Sequence, residues 1–327
     1  RTIITLSGLM MLTKGVELSG YFDVLGRKMV RRFATERRLS LFMVFSAAVL
    51  STFLTNDVAL FIIVPLTLTL RKLCEIPVSR LIIFEALAVN AGSLLTPIGN
   101  PPNILLWGRS GLSFAAFTWQ MAPLALVMML SLLAVCWFAF PDKKLQYHSG
   151  TTGPQWQPRL VWSCLGLYIV FLFALELKYE LAGVLLVAAG FVVLARRVLV
   201  SVDWTLLLVF MVMFIDVHLL IQLPVLQNVL HSVSTLSQPG LWLTAIGLSQ
   251  FISNVPATIL LLNYVPPDTL LAWAVNIGGF GLLPGSLANL IALRMASDRR
   301  IWWRFHLWSI PMLVWAAAIG FGIFLLI

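Results

Sequence analysis

One stretch interrupts the apolar sequence so sharply that it limits how the chain can fold. Residues 90–103 read NAGSLLTPIGNPPN, with apolar, helix-like sequence on both sides. The glycines and prolines prevent one continuous helix, because proline lacks an amide donor and clashes with the preceding turn. Irregular backbone at membrane depth is tolerated where it is buried in protein or lines a cavity. Since transporters bind their cargo at broken helices, the stretch predicts half of a transport site.

Composition indicates that the broken helix lies in a bilayer. Of the 327 residues, 60% are hydrophobic and 11% are charged, and the mean hydropathy is +0.96. These values predict an all-α polytopic membrane protein and not a soluble domain. The net charge of +9 could suggest nucleic acid, but the basic residues gather at the ends of apolar runs, which is the positive-inside pattern. We therefore expect a lipid bilayer and no nucleic acid as partner.

Two short apolar runs predict a re-entrant hairpin. An apolar segment at 2–26 is followed by runs at 39–54 and 58–70. Both runs are shorter than the about 20 helical residues that span a bilayer. Basic residues flank the pair on both outer sides, so the pair is predicted to enter and leave through the same face. Asn56 and Asp57 would lie at the buried tip.

The second half of the chain repeats this order of span, hairpin, broken helix and span. The segment TNDVA at 55–59 lies over SNVPA at 253–257 without gaps. A second interrupted helix occupies 270–296. Four positions of the first break match the second at a constant offset of 186: Asn90, Gly92, Gly99 and Asn103 over Asn276, Gly278, Gly285 and Asn289. A shared order with a shared offset predicts an internal repeat.

The charge distribution predicts that the two repeats are inverted. If the basic cluster at 27–38 is cytoplasmic, alternation of the spans puts most Lys and Arg on that face of the inner (plasma) membrane. One hairpin then opens to the cytoplasm and the other to the exterior, as in alternating access. The predicted domains are a first transport repeat at 1–140, a cytoplasmic linker at 141–159, two scaffold spans at 160–200 and a second, inverted transport repeat at 201–327.

The hairpin tips and helix breaks supply the candidate substrate- and ion-binding residues. Helix N-termini after a break present free amides and a positive dipole end, which favour anions. Asparagine side chains add amide and carbonyl groups without net charge, although they could also simply satisfy broken backbone. The candidates are Thr55, Asn56, Asp57, Asn90, Thr96, Gly99, Asn100, Asn103, Ser253, Asn254, Asn276, Gly285, Ser286 and Asn289.

Asp57 is the candidate for carrying a coupling proton. A carboxylate inside a membrane costs several kcal/mol, so it usually faces a cavity and has a function. It could instead help to bind Na+ together with Asn56 and Asn254. The structural alternative is a cap on backbone amides at a helix start. Apart from such a Na+ we expect no cofactor or metal, and no catalytic residues.

These motifs resemble those of the ion transporter superfamily. TND at the first tip, SNVP at the second and TPIGNPPN in the broken helix are similar to the arsenical-pump and citrate-metal-symporter branch, which is related to the divalent anion:sodium symporters. The resemblance covers nearly the whole chain. It implies a homodimer. It also implies scaffold helices ahead of the first repeat. Because this chain begins at Arg1, almost at the repeat itself, we expect those helices to be missing from it. Symporters of the superfamily usually have Ser-Asn-Thr at both tips, and this chain departs from that pattern.

The leading hypothesis is a secondary active transporter for a small anion or a metalloid oxyanion such as arsenite, coupled to H+ or Na+. A cation/proton antiporter on the same scaffold is the alternative. A membrane enzyme would need a cluster of ligands or nucleophiles, whereas His148, His218, His231 and His306 are scattered. A passive channel would need no coupling ion. The chain has no nucleotide-binding motif, so an ATP-driven pump would require a separate subunit.

Overall fold

The computed structural model of the protein describes residues 2–148 and 155–327. Residues 149–154 of the predicted linker lie outside this description. The described residues are nearly all helical, as predicted. In chain order the helices are α1 (Thr2–Leu18), α2 (Tyr21–Arg32), α3 (Glu36–Phe53), α4 (Asn56–Leu73), α5 (Val78–Ser93), α6 (Pro101–Ser110), α7 (Phe114–Ala139), α8 (Pro158–Glu176), α9 (Glu180–Leu194), α10 (Arg196–Ser201), α11 (Trp204–Ile221), α12 (Pro224–His231), α13 (Gln238–Ile252), α14 (Asn254–Leu261), α15 (Thr269–Ile277), α16 (Leu287–Ala296) and α17 (Ile301–Leu326).

Four of these helices are long and apolar enough to cross a membrane. They are α7, α8, α11 and α17, and each contains an 18-residue window of mean hydropathy 1.8 or more. The helix α9 is apolar but shorter. Large hydrophobic side chains such as Trp119 and Leu126 on α7 are exposed, as is typical of helices that face lipid. The predicted polytopic membrane protein is therefore consistent with the observed helices.

The described chain forms two compact units that interleave along the sequence. One comprises residues 2–34, 65–76, 144–148 and 155–216, and the other comprises 35–64, 77–143 and 217–327. These boundaries differ from the predicted ones, because each unit draws segments from both halves of the chain. The division into repeats remains a prediction.

In the first unit, α1 packs against α8 and α9, which also pack on each other. Phe171 and Phe191 are fully buried there. The apolar segment predicted at 2–26 is not one helix, because α1 ends at Leu18 and α2 begins at Tyr21. Gly20 lies between them with a φ of 82°. A side chain is strained in this left-handed conformation, so glycine is suited to the bend.

The second unit is built around α5. Every residue from Leu81 to Ser93 is buried, and α3, α7, α16 and α17 pack around this helix. The helix α15 is buried almost as completely and packs against α6, α7, α13 and α17. Both helices are the first halves of the interrupted segments, so the broken helices form the core of this unit.

The broken helices and the two short apolar runs that the sequence predicted are present as helices with shifted ends, although α4 beyond Val64 belongs to the first unit. The broken helix predicted within 81–107 folds as α5 and α6, and the one within 270–296 folds as α15 and α16. The runs at 39–54 and 58–70 become α3 and α4 with 18 residues each. They are longer than predicted because flanking polar residues, at the outer end of α3 and at both ends of α4, also adopt helical structure. Helix α3, for example, starts at Glu36, where the Thr35 side chain accepts from the Arg38 amide.

Candidate functional site

The residues of the predicted first tip lie at the start of α4 and contact the first break. The Asn56 amide donates to the Gly99 carbonyl at 3.0 Å. The Asn56 side-chain oxygen accepts from the Asp57 amide at 3.0 Å, and the Thr55 hydroxyl is 3.4 Å from the Val58 amide. Among the described residues, none forms a hydrogen bond or ion pair with the Asp57 carboxylate. Asp57 is therefore not the backbone cap that the structural alternative required.

The first break between α5 and α6 is held by two asparagines. Asn100 caps α6, since its side-chain oxygen accepts from the Asn103 amide at 2.9 Å. The Asn103 side chain donates to the carbonyls of Leu94 and Thr96 at 3.0 Å each. The Thr96 hydroxyl in turn donates to the Thr52 carbonyl on α3 at 2.7 Å. These bonds satisfy carbonyls that the interrupted helix leaves open, as buried backbone requires.

The second break between α15 and α16 is built in a related way. Ser286 occupies the N-cap of α16, where its hydroxyl accepts from the Ala288 amide at 3.3 Å. The Asn289 side chain donates to the Gly279 carbonyl at 2.9 Å. Gly285 is buried at the end of a 3-10 turn before the cap. Ser286 and Asn289 are buried as well, so the break is enclosed by protein.

Two asparagine pairs join the two broken helices. Asn90 on α5 donates to Asn289 on α16 at 2.8 Å. Asn276 on α15 donates to Asn103 on α6 at 2.7 Å. Asn100 also donates to the Asn276 side chain, at 2.9 Å. Asn90 and Asn276 occupy equivalent positions 186 residues apart, as do Asn103 and Asn289, so the two pairs are equivalent contacts.

Contacts of the two breaks with α3 and α13 match in the same manner. The Thr52 hydroxyl on α3 donates to the Gly92 carbonyl at 3.1 Å. Gln250 on α13 donates to the Gly278 carbonyl at 2.8 Å. A Cβ on Gly92 would clash with Ser51, and one on Gly278 would clash with Ser249. In the alignment of TNDVA over SNVPA, Thr52 lies over Gln250 and Ser51 over Ser249.

Sequence reasoning missed Thr52 and Gln250. Both stand three residues before their tip motif, at Thr55 and Ser253, so extending the alignment of the tips toward the N-terminus would have paired them. The signal is weak, however, because threonine and glutamine share no obvious role in the sequence. Their shared role is contact with the equivalent carbonyls of the two breaks.

The second tip carries polar groups without partners. Ser253 is 1% exposed and its hydroxyl has no hydrogen-bond partner among the described residues. Its φ of 74° and ψ of 155° belong to a region that is essentially restricted to glycine, and such strain costs about 1–3 kcal/mol. Asn254 is buried, and its side-chain amide forms no hydrogen bond within the described ranges. That amide lies beside the second break, since a Cβ on Gly279 would be 3.3 Å from it.

Helix N-termini meet at both tips. The starts of α4 and α6 are joined by the Asn56–Gly99 bond, and the start of α14 lies beside the second break. The helices α6 and α14 pack together, and Arg109 near the end of α6 donates to the Leu262 carbonyl at the end of α14, at 3.3 Å. Free amides and positive dipole ends favour a small anion, whereas amide oxygens and the Asp57 carboxylate suit a cation.

All the predicted site residues lie in the second unit, but they do not form one network. Hydrogen bonds between the two broken helices connect five asparagines (Asn90, Asn100, Asn103, Asn276 and Asn289). Thr96 is tied to Asn103 through its carbonyl, and Gly99 to Asn56. Thr55, Asp57, Ser253 and Asn254 form no side-chain bond to the asparagines. In the part of the chain that the structure describes, no three His, Cys, Asp or Glu side chains are grouped as metal ligands.

Comparison with known proteins identifies the family of this chain. The family model for citrate transporters (CitMHS) matches residues 1–267. The chain is similar to the inner membrane protein YbiR of Escherichia coli (strain K12), with 80% identity over 320 residues that cover 98% of this chain and 86% of that protein. It is also similar to the uncharacterized transporter MJ0456 of Methanocaldococcus jannaschii, with 32% identity over 305 residues, covering 91% of this chain and 81% of that protein. The family model matches most of the length of this chain, and this match shows that the chain belongs to the citrate transporter family of membrane transporters.

Proposed function

We propose that the protein is a secondary active transporter that moves a small anion or a metalloid oxyanion across the inner membrane by alternating access, coupled to H+ or Na+. The observation that carries the proposal is the junction of the two broken helices. Five buried amide side chains connect them, without a Lys or Arg among the bonded groups. At the nearby tips, the Asp57 carboxylate, the Ser253 hydroxyl and the Asn254 side-chain amide have no partner among the described residues. Such discontinuous helices form the substrate and ion sites of many transporters.

The architecture of this transporter is two inverted repeats, each with a re-entrant hairpin and a broken helix. The hairpins are α3–α4 and α13–α14, and the broken helices are α5–α6 and α15–α16. The repeat is supported by the matched contacts, in which Asn90–Asn289 corresponds to Asn276–Asn103. Inversion is supported by the distribution of Lys and Arg, because the loops that carry most of these residues would then lie in the cytoplasm.

The tips would bind substrate and coupling ion. Ser253 and Asn254 offer a hydroxyl and an amide that no described residue uses, and a buried polar group without a partner costs about 1–3 kcal/mol. A bound anion or ion that accepts or donates at these atoms would remove that cost. Asp57 would carry the proton, or bind Na+ together with Asn56 and Asn254. No other cofactor is proposed.

The relatives support the proposed substrate class and membrane. The family model is described as a citrate transporter, and YbiR is named as an inner membrane protein, so we place this chain in the inner membrane and include citrate among its candidate substrates. Apolar side chains exposed on α7 and α17 would contact lipid. A homodimer is the expected assembly.

The alternative is a Na+/H+ antiporter on the same scaffold. Asp57 favours it as well, because a carboxylate without a hydrogen bond or ion pair among the described residues can exchange a proton for Na+. The two functions differ in whether an anion crosses the membrane. Transport of Na+ against H+ without any anion would identify the antiporter.

Flux into proteoliposomes under imposed H+ or Na+ gradients tests the proposal, with arsenite, citrate, succinate and sulfate as substrates. We expect flux of one anion that depends on one gradient and is abolished in Asp57→Asn and Asn254→Ala. Asp142→Asn and Asn263→Ala are the matched controls, because both side chains are exposed. Flux that survives the two tip substitutions would mean that the tips are scaffold and the site lies elsewhere.

A further inference from the structure

Three consecutive backbone amides of the second break are held by side chains from two other helices. The Gly281 amide donates to the Ser309 hydroxyl at 2.7 Å, and the Leu282 amide donates to the Gln250 side-chain oxygen at 2.8 Å. The Leu283 amide donates to Nε2 of His306 at 3.1 Å. Ser309 and His306 belong to α17, and Gln250 belongs to α13. We call Gln250, His306 and Ser309 the amide clamp.

The conformation of the break explains why the clamp is needed. Gly281 has a φ of 99°, and a Cβ there would clash with Leu313 and come within 2.7 Å of the Gln250 side-chain oxygen. The backbone turns away from helical geometry at this residue, so the three amides have no carbonyl of a preceding turn to bind. Unpaired amides at membrane depth are costly, and side chains supply the missing acceptors.

The first break has no such clamp. At the offset of 186, the counterparts of Gly281, Leu282 and Leu283 are Leu95, Thr96 and Pro97. Pro97 has no amide hydrogen, so the bond that His306 accepts in the second half is not needed in the first. Within the described ranges, no α7 side chain hydrogen-bonds to the first break. The clamp is therefore a feature of the second half alone.

The two bonds of His306 determine its protonation state. Nδ1 lies 2.7 Å from the Trp302 carbonyl, which can accept but not donate, so Nδ1 carries a hydrogen. Nε2 receives the Leu283 amide and must therefore present its lone pair. Both conditions hold in the neutral Nδ1–H tautomer. A second proton on Nε2 would face the Leu283 amide hydrogen and abolish that bond.

We propose that the amide clamp positions the second break for transport and that proton uptake by His306 releases Leu283 from it. The effect on transport rests on the function proposed above, whereas the release itself does not. We therefore expect the second break to loosen when His306 takes up this proton, whereas the first break should not respond.

Other charged groups near α17 do not replace this role. On α17 itself the nearest is Arg304, and the helices packed against α17 contribute Arg80 and Glu85 from α5 and Arg294 from α16. The helices α7, α13 and α15 carry no charged side chain. Among the described residues no carboxylate pairs with His306, so its bonds to Trp302 and Leu283 define its chemistry.

Amide hydrogen exchange of residues 281–283 tests the release without any substrate. Peptides from the full chain in lipid nanodiscs would be compared at about pH 8 and pH 5.5, after correction for intrinsic exchange rates. Wild type should exchange about five- to tenfold faster at pH 5.5, as expected for loss of a hydrogen bond. His306→Gln, which stays neutral and keeps an acceptor, should show no such change. His306→Ala should exchange fast at both pH values. Two controls accompany the measurement. The peptide containing residues 95 and 96 should show no pH-dependent change in exchange in wild type. The variant His231→Gln should show the same pH-dependent change at 281–283 as wild type.

The effect on transport is tested by the flux of His306→Gln divided by the flux of wild type at each pH. This ratio cancels the effects of the gradient and of substrate protonation. The ratio should rise as the pH falls. An exchange rate at 281–283 that ignores pH in wild type, or that depends on pH equally in His306→Gln, would overturn the proposal. If exchange behaves as expected and no substrate is transported, the clamp stands and the proposed function fails.

Discussion

Replacing Asn276 by alanine tests whether the asparagine junction holds the two broken helices together. Asn276 donates to Asn103 at 2.7 Å and to the Ala272 carbonyl at 2.8 Å, and it accepts from Asn100 at 2.9 Å. The bonds to Asn103 and Asn100 join different helices. The substitution removes both and deprives the buried Asn103 side-chain oxygen of its partner.

The expected loss of stability is about 2 kcal/mol. Hydrogen bonds between helices in membranes contribute about 0.6 kcal/mol on average and up to about 1.7 kcal/mol, so two of them give about 1–3 kcal/mol. The greater helix propensity of alanine offsets about 0.5 kcal/mol of that. Asn90→Ala should cost less, because Asn90 makes one close bond, to Asn289, and a longer contact of 3.4 Å to the Gly279 carbonyl.

The measurement is the free energy of unfolding, from titration with sodium dodecyl sulfate in mixed micelles. Asn263→Ala is the matched control, since this exposed asparagine lies in a loop. A double-mutant cycle of Asn276→Ala with Asn103→Ala should give a coupling energy of about 0.6–1.7 kcal/mol. A loss no larger than in the control, or a coupling energy near zero, would refute the reasoning that these pairs stabilise the junction.

Three further predictions use other features of the chain. Gly92→Val should destabilise the protein by about 1–3 kcal/mol in the same titration, because the new side chain meets Ala48 and Ser51, while Gly247→Ala, where the added Cβ meets open space, should not. The Ser79 hydroxyl and the Arg300 amide lower the pKa of Asp298, so its contribution to stability is present above the unfolded pKa of about 3.9 and is lost as the pH falls through the lower folded value. Asp298→Asn should remove that part of the dependence of the free energy of unfolding on acid pH. An unchanged dependence in the variant would contradict this role of Asp298. A reporter fused after residue 150 should behave as cytoplasmic, and an external result would overturn the inverted orientation.

The sequence by itself determined where the helices break. Pro97, Pro101 and Pro102 remove amide donors within a few residues of each other, and this local property ends α5 at Ser93 and starts α6 at Pro101. The tip motifs likewise mark the starts of α4 and α14. The recurrence of these local signals in the second half, at an offset of 186 for the breaks and 198 for the tip motifs, was also visible from the sequence, as was membrane insertion from composition.

The tertiary structure decided which groups meet. Asn90 bonds to Asn289 and Asn276 to Asn103, partners 199 and 173 residues apart, and no local pattern distinguishes these pairs from others among the same asparagines. The roles of Thr52, Gln250 and His306 depend on which backbone groups the breaks leave unsatisfied, and this requires the folded positions of α3, α13 and α17. Helix ends follow from short-range sterics, whereas hydrogen-bond partners in a buried junction follow from the packing of the whole unit.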